Sequence, residues 1–505
     1  MNIIIPCSGI GKRFLDAGFE ETKPLININN KKIIDYVISM FDAKNDNFIF
    51  ICNEENRKDI ESYVRSNYSF KCFFNSIAYP SHGPVGAVVK SLDFIKEHLT
   101  IQDGICISYC DYFQKFDYKE FKEYVSCLDG CIVSYTGYHP HLIPEKNVYA
   151  TSIVDEKNNV LKIFEKTCIG NKFQAHHSCG LYYFKNIEII EKYFNMLIEK
   201  DISLNNEYYV SLVYNLLIQD SLVVKSFVNT STFLQLGTPE DFRYVEKQFT
   251  RFEKLSKFNE FEKINHITLM AGRSKRFKDA GYPIQKSFLT INDSMVYLIQ
   301  KKYMPDQHKL FITADDYKKF LSYDKDLEYS FVKPNNVGPA YSFFEGIKDI
   351  NLNHEKSLIT SCDVLCNYYT DEFVSIEKDY DVIVFATQNH VTSINNPYSF
   401  SWIDQYGSVL KKVSIKKPIE NEDIKESYML IGSFYVKNTS KFIALIEEFL
   451  KKKDIEAKEY YIDEAINYCI DKGLNVGTCL VEGYYSFGTP EEYEESAYWL
   501  NYFGG

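Results

Sequence analysis

The stretch IIIPCSGIGKRF, residues 3–14, sets an apolar run against two glycines, a lysine and an arginine. A buried strand that ends in a glycine turn and hands over to a helix has this form. A second stretch, ITLMAGRSKRF at 267–277, repeats it far down the chain. Around the first, the runs NIIIP, KKIIDYVISMF, NFIFICN, RKDIESYVRSN and GICISYC alternate strand-like and helix-like patterns. The strand-like runs lack clean polar alternation, as strands buried on both faces do. The fold class that follows is α/β, doubly wound, on a mixed or mostly parallel sheet. Ligands of such sheets lie beyond the carboxyl ends of the strands, which is where the loop after the first strand sits.

The echo is not confined to the loop. GKRFLDAGFEETKPLININ (11–29) aligns without a gap on SKRFKDAGYPIQKSFLTIN (274–292). Further on, GLYYFKN (180–186) faces GSFYVKN (432–438), Glu207-Tyr208-Tyr209 faces Glu459-Tyr460-Tyr461, and LGTPEDF (236–242) faces FGTPEEY (487–493). The order is the same in both halves, which reads as a duplicated domain of roughly 240 residues and not as a solenoid of about 20–50-residue repeats. The expected organisation is a first domain at 1–247, a connector at 248–263 and a second domain at 264–505. In the connector, Phe249, Phe252, Leu255, Phe258 and Phe261 recur every third position among charges, which predicts an amphipathic helix docked on one of the domains.

Composition narrows the function. A chain of 505 residues with 45% apolar and 25% charged residues, 40 Tyr and 38 Phe is expected to be globular and of more than one domain. A net charge of -12 argues against nucleic acid as a partner but leaves room for a small anion held by local charge. The 13 cysteines are scattered without a Cys-x-x-Cys pair, and read as reduced thiols of a cytoplasmic protein. The N-terminal apolar run ends at Pro6 without a basic flank, unlike a signal peptide, and no apolar run approaches the about 20 residues of a membrane span.

The loop itself admits two readings, a plain turn or a phosphate cradle. Gly9 and Gly11 would let backbone approach a ligand, the amides of the next helix would face an anion, and Lys12, Arg13 and Lys23 would supply cations. Two known glycine loops are excluded. A Walker loop needs glycine where Pro6 stands and a hydroxyl where Arg13 stands, and a dinucleotide fingerprint needs a small residue where Phe14 stands. Asp111 ends GICISYC, so its carboxylate should emerge at the ligand edge, and Asp363 follows SLITSC in the second half. Each is either a turn former or, opposite triphosphate oxygens, a hard ligand for Mg²⁺.

These motifs resemble the nucleoside-diphosphate-sugar pyrophosphorylases, the sugar-1-phosphate nucleotidyltransferases with a glycosyltransferase A-type, Rossmann-like fold. The resemblance rests on CSGIGKRF with KPL, HGPVGAV (82–88), YCD (109–111), FEK (164–166) and LGTPED (236–241), in the family's order. It implies that Ser8, Gly9, Gly11, Lys12 and Arg13 hold the triphosphate and that Lys23 neutralises charge at the reacting phosphate. Gly83, Pro84 and Gly86 would line base and ribose, Asp111 would bind Mg²⁺, and Glu165, Lys166 and Gly180 would meet the phosphorylated acceptor. Arg13, Lys23 and Asp111 would be the catalytic groups. In the second half the same roles fall to Gly272, Arg276, Lys286, Gly338, Pro339, Asp363 and Lys417. The implied reaction passes a nucleotidyl group from a triphosphate to a small phosphorylated acceptor with loss of pyrophosphate, for a capsule or surface glycan. Oligomers are compatible with it.

The pattern also breaks. The family's second metal-binding Asp, two residues before Gly-Thr-Pro, is replaced by Gln235 and Ser486. Ser274 replaces the second loop glycine, Ser287 replaces the proline of Lys-Pro, and after a two-residue insertion Lys416 falls at the position of Glu165. The second half is therefore either a second enzyme or a structural or regulatory copy. His176 and His177 read as surface-turn residues, and Ala314-Asp315-Asp316 as a solvated turn matching 53–55. A glycosyltransferase on the same fold is the rival, but it typically carries Asp-x-Asp where this chain has Asp111-Tyr112-Phe113 and Asp363-Val364-Leu365.

Overall fold

A computed structural model describes residues 1–99, 103–144, 148–256, 263–303, 309–322, 326–333, 337–452 and 459–504. The chain divides into two compact units, Met1–Phe249 and Thr250–Gly505.

In the first unit four parallel strands run in the order Cys72–Ile77, Asn47–Asn53, Asn2–Cys7 and Ile105–Ser108. The sheet continues through His176–Phe184, antiparallel to Ile105–Ser108, then Gly130–Tyr135 and Val224–Val228. A hairpin of Thr151–Val154 and Val160–Phe164 joins at the His176 end. Alternate residues of a strand face opposite sides. Ile4, Ile49 and Ile51 enter one core, while Ile3, Ile5, Phe48 and Phe50 enter the other. Both faces are therefore apolar, which is why the strand runs show no polar alternation.

The second unit has the same strand order: Leu327–Val332, Lys309–Ala314, Ile264–Met270 and Lys356–Ser361 in parallel, then Tyr428–Val436 antiparallel, Val382–Thr387 and Val476–Leu480. Its hairpin is Trp402–Tyr406 with Val409–Ser414.

The stretch 248–263 is not a helix of its own. One helix runs Pro239–Ser256, starting nine residues earlier because Thr238 takes the capping position, its hydroxyl accepting from the Asp241 N–H at 3.2 Å. Within the second unit Phe252 stacks on Phe503 with centroids 4.4 Å apart, and the Arg251 guanidinium lies 3.8 Å from the Tyr485 ring centre. Phe258 and Phe261 lie outside the described residues. No described helix is long and apolar enough to cross a membrane.

Candidate active site

The opening loop leaves the strand Asn2–Cys7 and turns at Gly11, whose φ of 65° lies in the left-handed region. A Cβ at Gly11 would stand 3.3 Å from the Lys23 Cβ, so the glycine also lets Lys23 pass. Around Gly9 the space is open, with nothing within 4 Å of an added Cβ. Lys12 and Arg13 are exposed. The helix that follows is only Lys12–Asp16, so its dipole is small and the side chains carry most of the positive field. Two asparagines clamp the loop from behind: Asn56 donates to the Cys7 carbonyl at 2.8 Å and Asn53 to the Ser8 carbonyl at 3.1 Å. The Ser8 hydroxyl reaches Ser81 at 3.2 Å. The asparagines were not foreseen, although NEEN (53–56) places them three apart after the second strand.

Lys23 draws three distant motifs to one point. Its Nζ donates to Asp111 Oδ2 at 2.6 Å and to the Gly237 carbonyl at 2.9 Å, and lies 5.3 Å from the Phe14 ring centre. The two side chains are 16% and 29% exposed, so the pair is reachable by a ligand. Gly237 packs between Asp111 and Gln235, and a Cβ there would lie 3.4 Å from Asp111 Oδ2 and 3.3 Å from Gln235 Nε2. Gln235 in turn donates to the Tyr149 hydroxyl at 3.1 Å. Asp241 stands in the same field: burial pushes its carboxyl up, and the charges of Lys23 and Asp111 both act on it. Phe14, Phe19 and Phe242 meet edge to face, centroids 5.2–6.1 Å apart, and lock the Arg-Phe turn to the Gly-Thr-Pro helix.

The opposite wall carries Glu165, Lys166 and Tyr209. Glu165 accepts a hydrogen bond from the Ser211 hydroxyl, and burial pushes its carboxyl up to about 7. Lys166 donates to the Tyr209 hydroxyl at 2.6 Å and lies 4.6 Å from that ring's centre, while the hydroxyl donates on to Glu207. The Arg13 charge acts on Tyr209, which ties this wall to the loop. Gly83 and Gly86 are accounted for by packing: an added Cβ would lie 2.9 Å from the Tyr208 backbone at the first and 2.0 Å from the Ser81 carbonyl at the second. Pro84 sits in the first turn of the helix Gly83–Val89. Gly180, with φ of 98°, is pressed between the Tyr109 and Tyr112 rings, which would stand 3.2 and 3.3 Å from an added Cβ.

The histidines are not surface-turn residues. The strand His176–Phe184 extends to include both, His177 is fully buried with Nε2 2.7 Å from the Lys172 carbonyl, and burial lowers its pKa.

In the second unit Lys286 donates to Asp363 Oδ2, and Ser361 donates to the other carboxylate oxygen. Burial alone would raise Asp363 and lower Lys286, but their mutual attraction reverses both directions. Ser274 keeps the left-handed turn of Gly11 with φ of 51°, and its hydroxyl accepts from the Lys286 N–H at 3.1 Å. Arg276 is exposed and its charge acts on Lys286. A Cβ at Gly488 would lie 3.1 Å from Glu492 Oε2 and 3.5 Å from both Asp363 Oδ2 and Ser486 Oγ. Nothing crowds Gly272, whereas Gly338, before the helix that begins at Pro339, is pressed on the Tyr460 backbone. Asp316 is exposed but not merely solvated: Arg273 of the loop pairs with it at 2.7 Å.

The corresponding wall of the second unit differs from the sequence register by one residue. Asn215 clips Ile163 in the first unit, donating to its carbonyl and accepting from its N–H, both at 3.0 Å. Asn467 clips Val413 in the same way at 2.9 and 2.7 Å. Counting from these clips, Ile415 takes the place of Glu165 and Lys416 that of Lys166. Both lysines have left-handed φ, 53° and 50°, and Lys416 lies 4.5 Å from the Tyr461 ring centre as Lys166 does over Tyr209. Lys417, expected on this wall, is instead 61% exposed and paired with Glu420 at 2.7 Å.

Residues 2–251 match the family model described as nucleotidyl transferase. Over 116 residues the chain is 28% identical to the CTP:phosphoglutamine cytidylyltransferase of Campylobacter jejuni, a match that spans 23% of this chain and 46% of that protein. The nucleoside-diphosphate-sugar pyrophosphorylase from Vibrio cholerae RC9 is similar over 49% of this chain and 100% of its own, at 18% identity and a TM-score of 0.42. HddC from Yersinia pseudotuberculosis is similar over 49% of this chain and 99% of its own, at 20% identity and a TM-score of 0.37. Residues 2–251 are therefore a domain of the nucleotidyl transferase family.

Proposed function

We propose that the first unit transfers a nucleoside monophosphate from a triphosphate to a phosphorylated small molecule and releases pyrophosphate. The observation that carries this reading is the Lys23 ammonium held between Asp111 and the Gly237 carbonyl, beside an open glycine loop with two exposed cations. An acceptor phosphate oxygen attacks the α-phosphorus, a new P–O bond forms, and the bond to the bridging oxygen breaks as pyrophosphate departs. The attacking oxygen is already anionic, so no general base is needed. The protein's work is alignment and charge stabilisation. Lys12 and Arg13 grip the triphosphate, and Lys23 exchanges its contact with Asp111 for the α-phosphate. Lys166 and Glu165 face the acceptor, one toward its phosphate and the other toward its hydrogen-bond donors.

The donor set beside Lys23 fits Mg²⁺, a hard cation that takes oxygen ligands and leaves several positions to water and phosphate. Asp111 would hold it, with Gln235 at the position where the family commonly places a second Asp and Asp241 in the same field. Bound there, it would neutralise charge on the phosphates. The relative's name gives CTP, which supports CTP as the triphosphate here, and the phosphoglutamine in that name widens the acceptor beyond sugar phosphates. The product is an activated precursor of the kind a surface glycan consumes, and we place the reaction there, in the cytoplasm. The Lys286–Asp363 pair extends the reading to the second unit, which makes the chain bifunctional.

Pyrophosphate release from the four common ribonucleoside triphosphates and dTTP, each with a panel of phosphorylated acceptors, tests the proposal. Turnover should appear for at least one pair, and at least one productive pair should fall at least about a hundredfold in Asp111→Asn. Full turnover of every productive pair in that variant would remove Asp111 from the site.

A further inference from the structure

The acceptor walls of the two units differ by a set of exchanges that compensate one another. In the first unit the carboxylate is Glu165, at the end of the strand Val160–Phe164, and its hydroxyl partner is Ser211 on the helix Val210–Gln219. In the second unit the strand position is Ile415, and the helix position, two residues after the lysine-bearing tyrosine in each case, is Asp463. The carboxylate has crossed from strand to helix. A hydroxyl has moved with it: Ser401 acts on Asp463 and offsets part of what burial does to its carboxyl. Ser401 matches Ala150 of the first unit, because its carbonyl accepts from Leu430 N–H as that of Ala150 accepts from Ser178 N–H, each at 2.9 Å.

The lysine, tyrosine and glutamate of this wall are retained. Lys416 donates to the Tyr461 hydroxyl at 2.6 Å, that hydroxyl donates to Glu459, and the Lys416 charge acts on Asp463. Burial raises Asp463, as it raises Glu165. A position in the first turn of a helix would by itself favour an aspartate. It would not explain the loss of the facing carboxylate, the new Ser401 hydroxyl, or the retention of the lysine, tyrosine and glutamate around them. A wall that had only to pack would have no reason to bring a carboxylate back beside the same lysine.

Resting on the nucleotidyl-transfer reading above, we propose that the second unit has its own acceptor site, with Asp463 in place of Glu165, and takes a different phosphorylated acceptor from the first. Its acceptor presents a hydroxyl or ammonium toward the helix and an apolar edge toward Ile415, and its phosphate meets Lys416. The acceptor of the first unit presents its donor toward the strand. One donor nucleotide then serves two phosphorylated substrates.

The test uses the full-length chain, CTP and four acceptors: glucose 1-phosphate, inositol 1-phosphate, glycerol 3-phosphate and phosphoglutamine. Asp111→Asn and Asp363→Asn should each abolish a different acceptor's turnover. In the Asp111→Asn background, Asp463→Asn should raise the KM of the remaining acceptor at least tenfold and leave that of CTP within twofold. The double exchange Ile415→Glu with Asp463→Ser should move the preference toward the acceptor that Asp111→Asn lost. Melting temperatures and CTP binding by calorimetry show that each variant is folded. An unchanged acceptor KM in folded Asp463→Asn, or turnover wholly lost in Asp111→Asn, overturns the inference and leaves the first site standing. No pyrophosphate from the wild-type chain with any of the four acceptors overturns the nucleotidyl-transfer reading itself, and this inference with it.

Discussion

Lys23 and Asp111, eighty-eight residues apart in the chain, meet at 2.6 Å, and the same lysine reaches the carbonyl of Gly237 at 2.9 Å. The contact joins the Lys-Pro turn to the residues that follow the strand Ile105–Ser108 and to the Gly-Thr-Pro turn. It keeps a cation and a hard oxygen ligand side by side, and in the proposed reaction a triphosphate would separate their tasks. Removing the lysine leaves Asp111 uncompensated and the reacting phosphate without its cation. Lys23→Met is therefore expected to lower kcat by about a hundredfold or more, with a smaller effect on triphosphate affinity, because Lys12 and Arg13 remain. The pair is partly exposed, so the cost in stability should be about 1 kcal/mol. Steady-state kinetics beside a thermal melt separates the two effects. A lost melt with intact turnover per folded molecule would make the pair purely structural.

Glu165 gives the acceptor wall a pH dependence near neutrality, since burial pushes its carboxyl from 4.5 up to about 7. Its native form binds the proton more tightly than the unfolded chain does, so its contribution to stability is complete below about 4.5 and is lost as pH rises through about 7. Acceptor binding should run the other way if the ionised carboxylate receives the acceptor's donors. The acceptor KM of the first unit is expected to fall as pH rises through about 7, and this step should vanish in Glu165→Gln. A KM profile with the same step in both proteins would assign the titration to another group.

How much of this was legible in the sequence depended on whether a position was fixed by backbone grammar or by a side-chain contact. The strand runs, the turn at Gly11 and the convergence of Lys-Pro, Asp111 and Gly-Thr-Pro follow from motifs whose order and spacing set the sheet. The acceptor wall of the second unit did not, because Lys416 and Lys417 are adjacent and identical and only the Asn467 clip on Val413 decides which one stands over Tyr461. Nothing in the sequence singled out Asn53 and Asn56, because an amide that holds a distant loop's carbonyls leaves no local pattern. His177 was misplaced because the strand begins before the apolar run that marks it, and a histidine whose ring meets a backbone carbonyl can be buried there.

Two glycines near the site should behave in opposite ways. Gly9 faces open space, so Gly9→Ala is expected to leave the melting temperature nearly unchanged while placing a methyl group where the triphosphate approaches, which weakens its binding. Gly86 has the Ser81 carbonyl 2.0 Å from an added Cβ, and that oxygen belongs to backbone. Gly86→Ala is expected to cost about 2 kcal/mol or more, since helix and loop must part to admit the methyl. Chemical denaturation and nucleotide calorimetry on the two variants check both. Equal losses of stability would mean that Gly9 is also a packing residue.

Lys309 offers a test in the second unit away from the reacting groups. It opens the strand Lys309–Ala314 beside His266, it is fully buried, its Nζ has no hydrogen-bond partner among the described residues, and burial with the nearby Lys301 charge lowers its pKa from 10.5 to about 7. Between those two values the unfolded chain holds a proton that the native protein has released, so stability rises with pH from about 7 to about 10.5. Below about 7 the native state must carry a buried, unpaired ammonium, and the whole cost is felt. Lys309→Met keeps the chain length and removes the charge. It should raise the melting temperature most at pH 6, less at pH 8, and flatten the rise between them. A variant no more stable than wild type at pH 6 would show that the ammonium has found a partner in the folded protein.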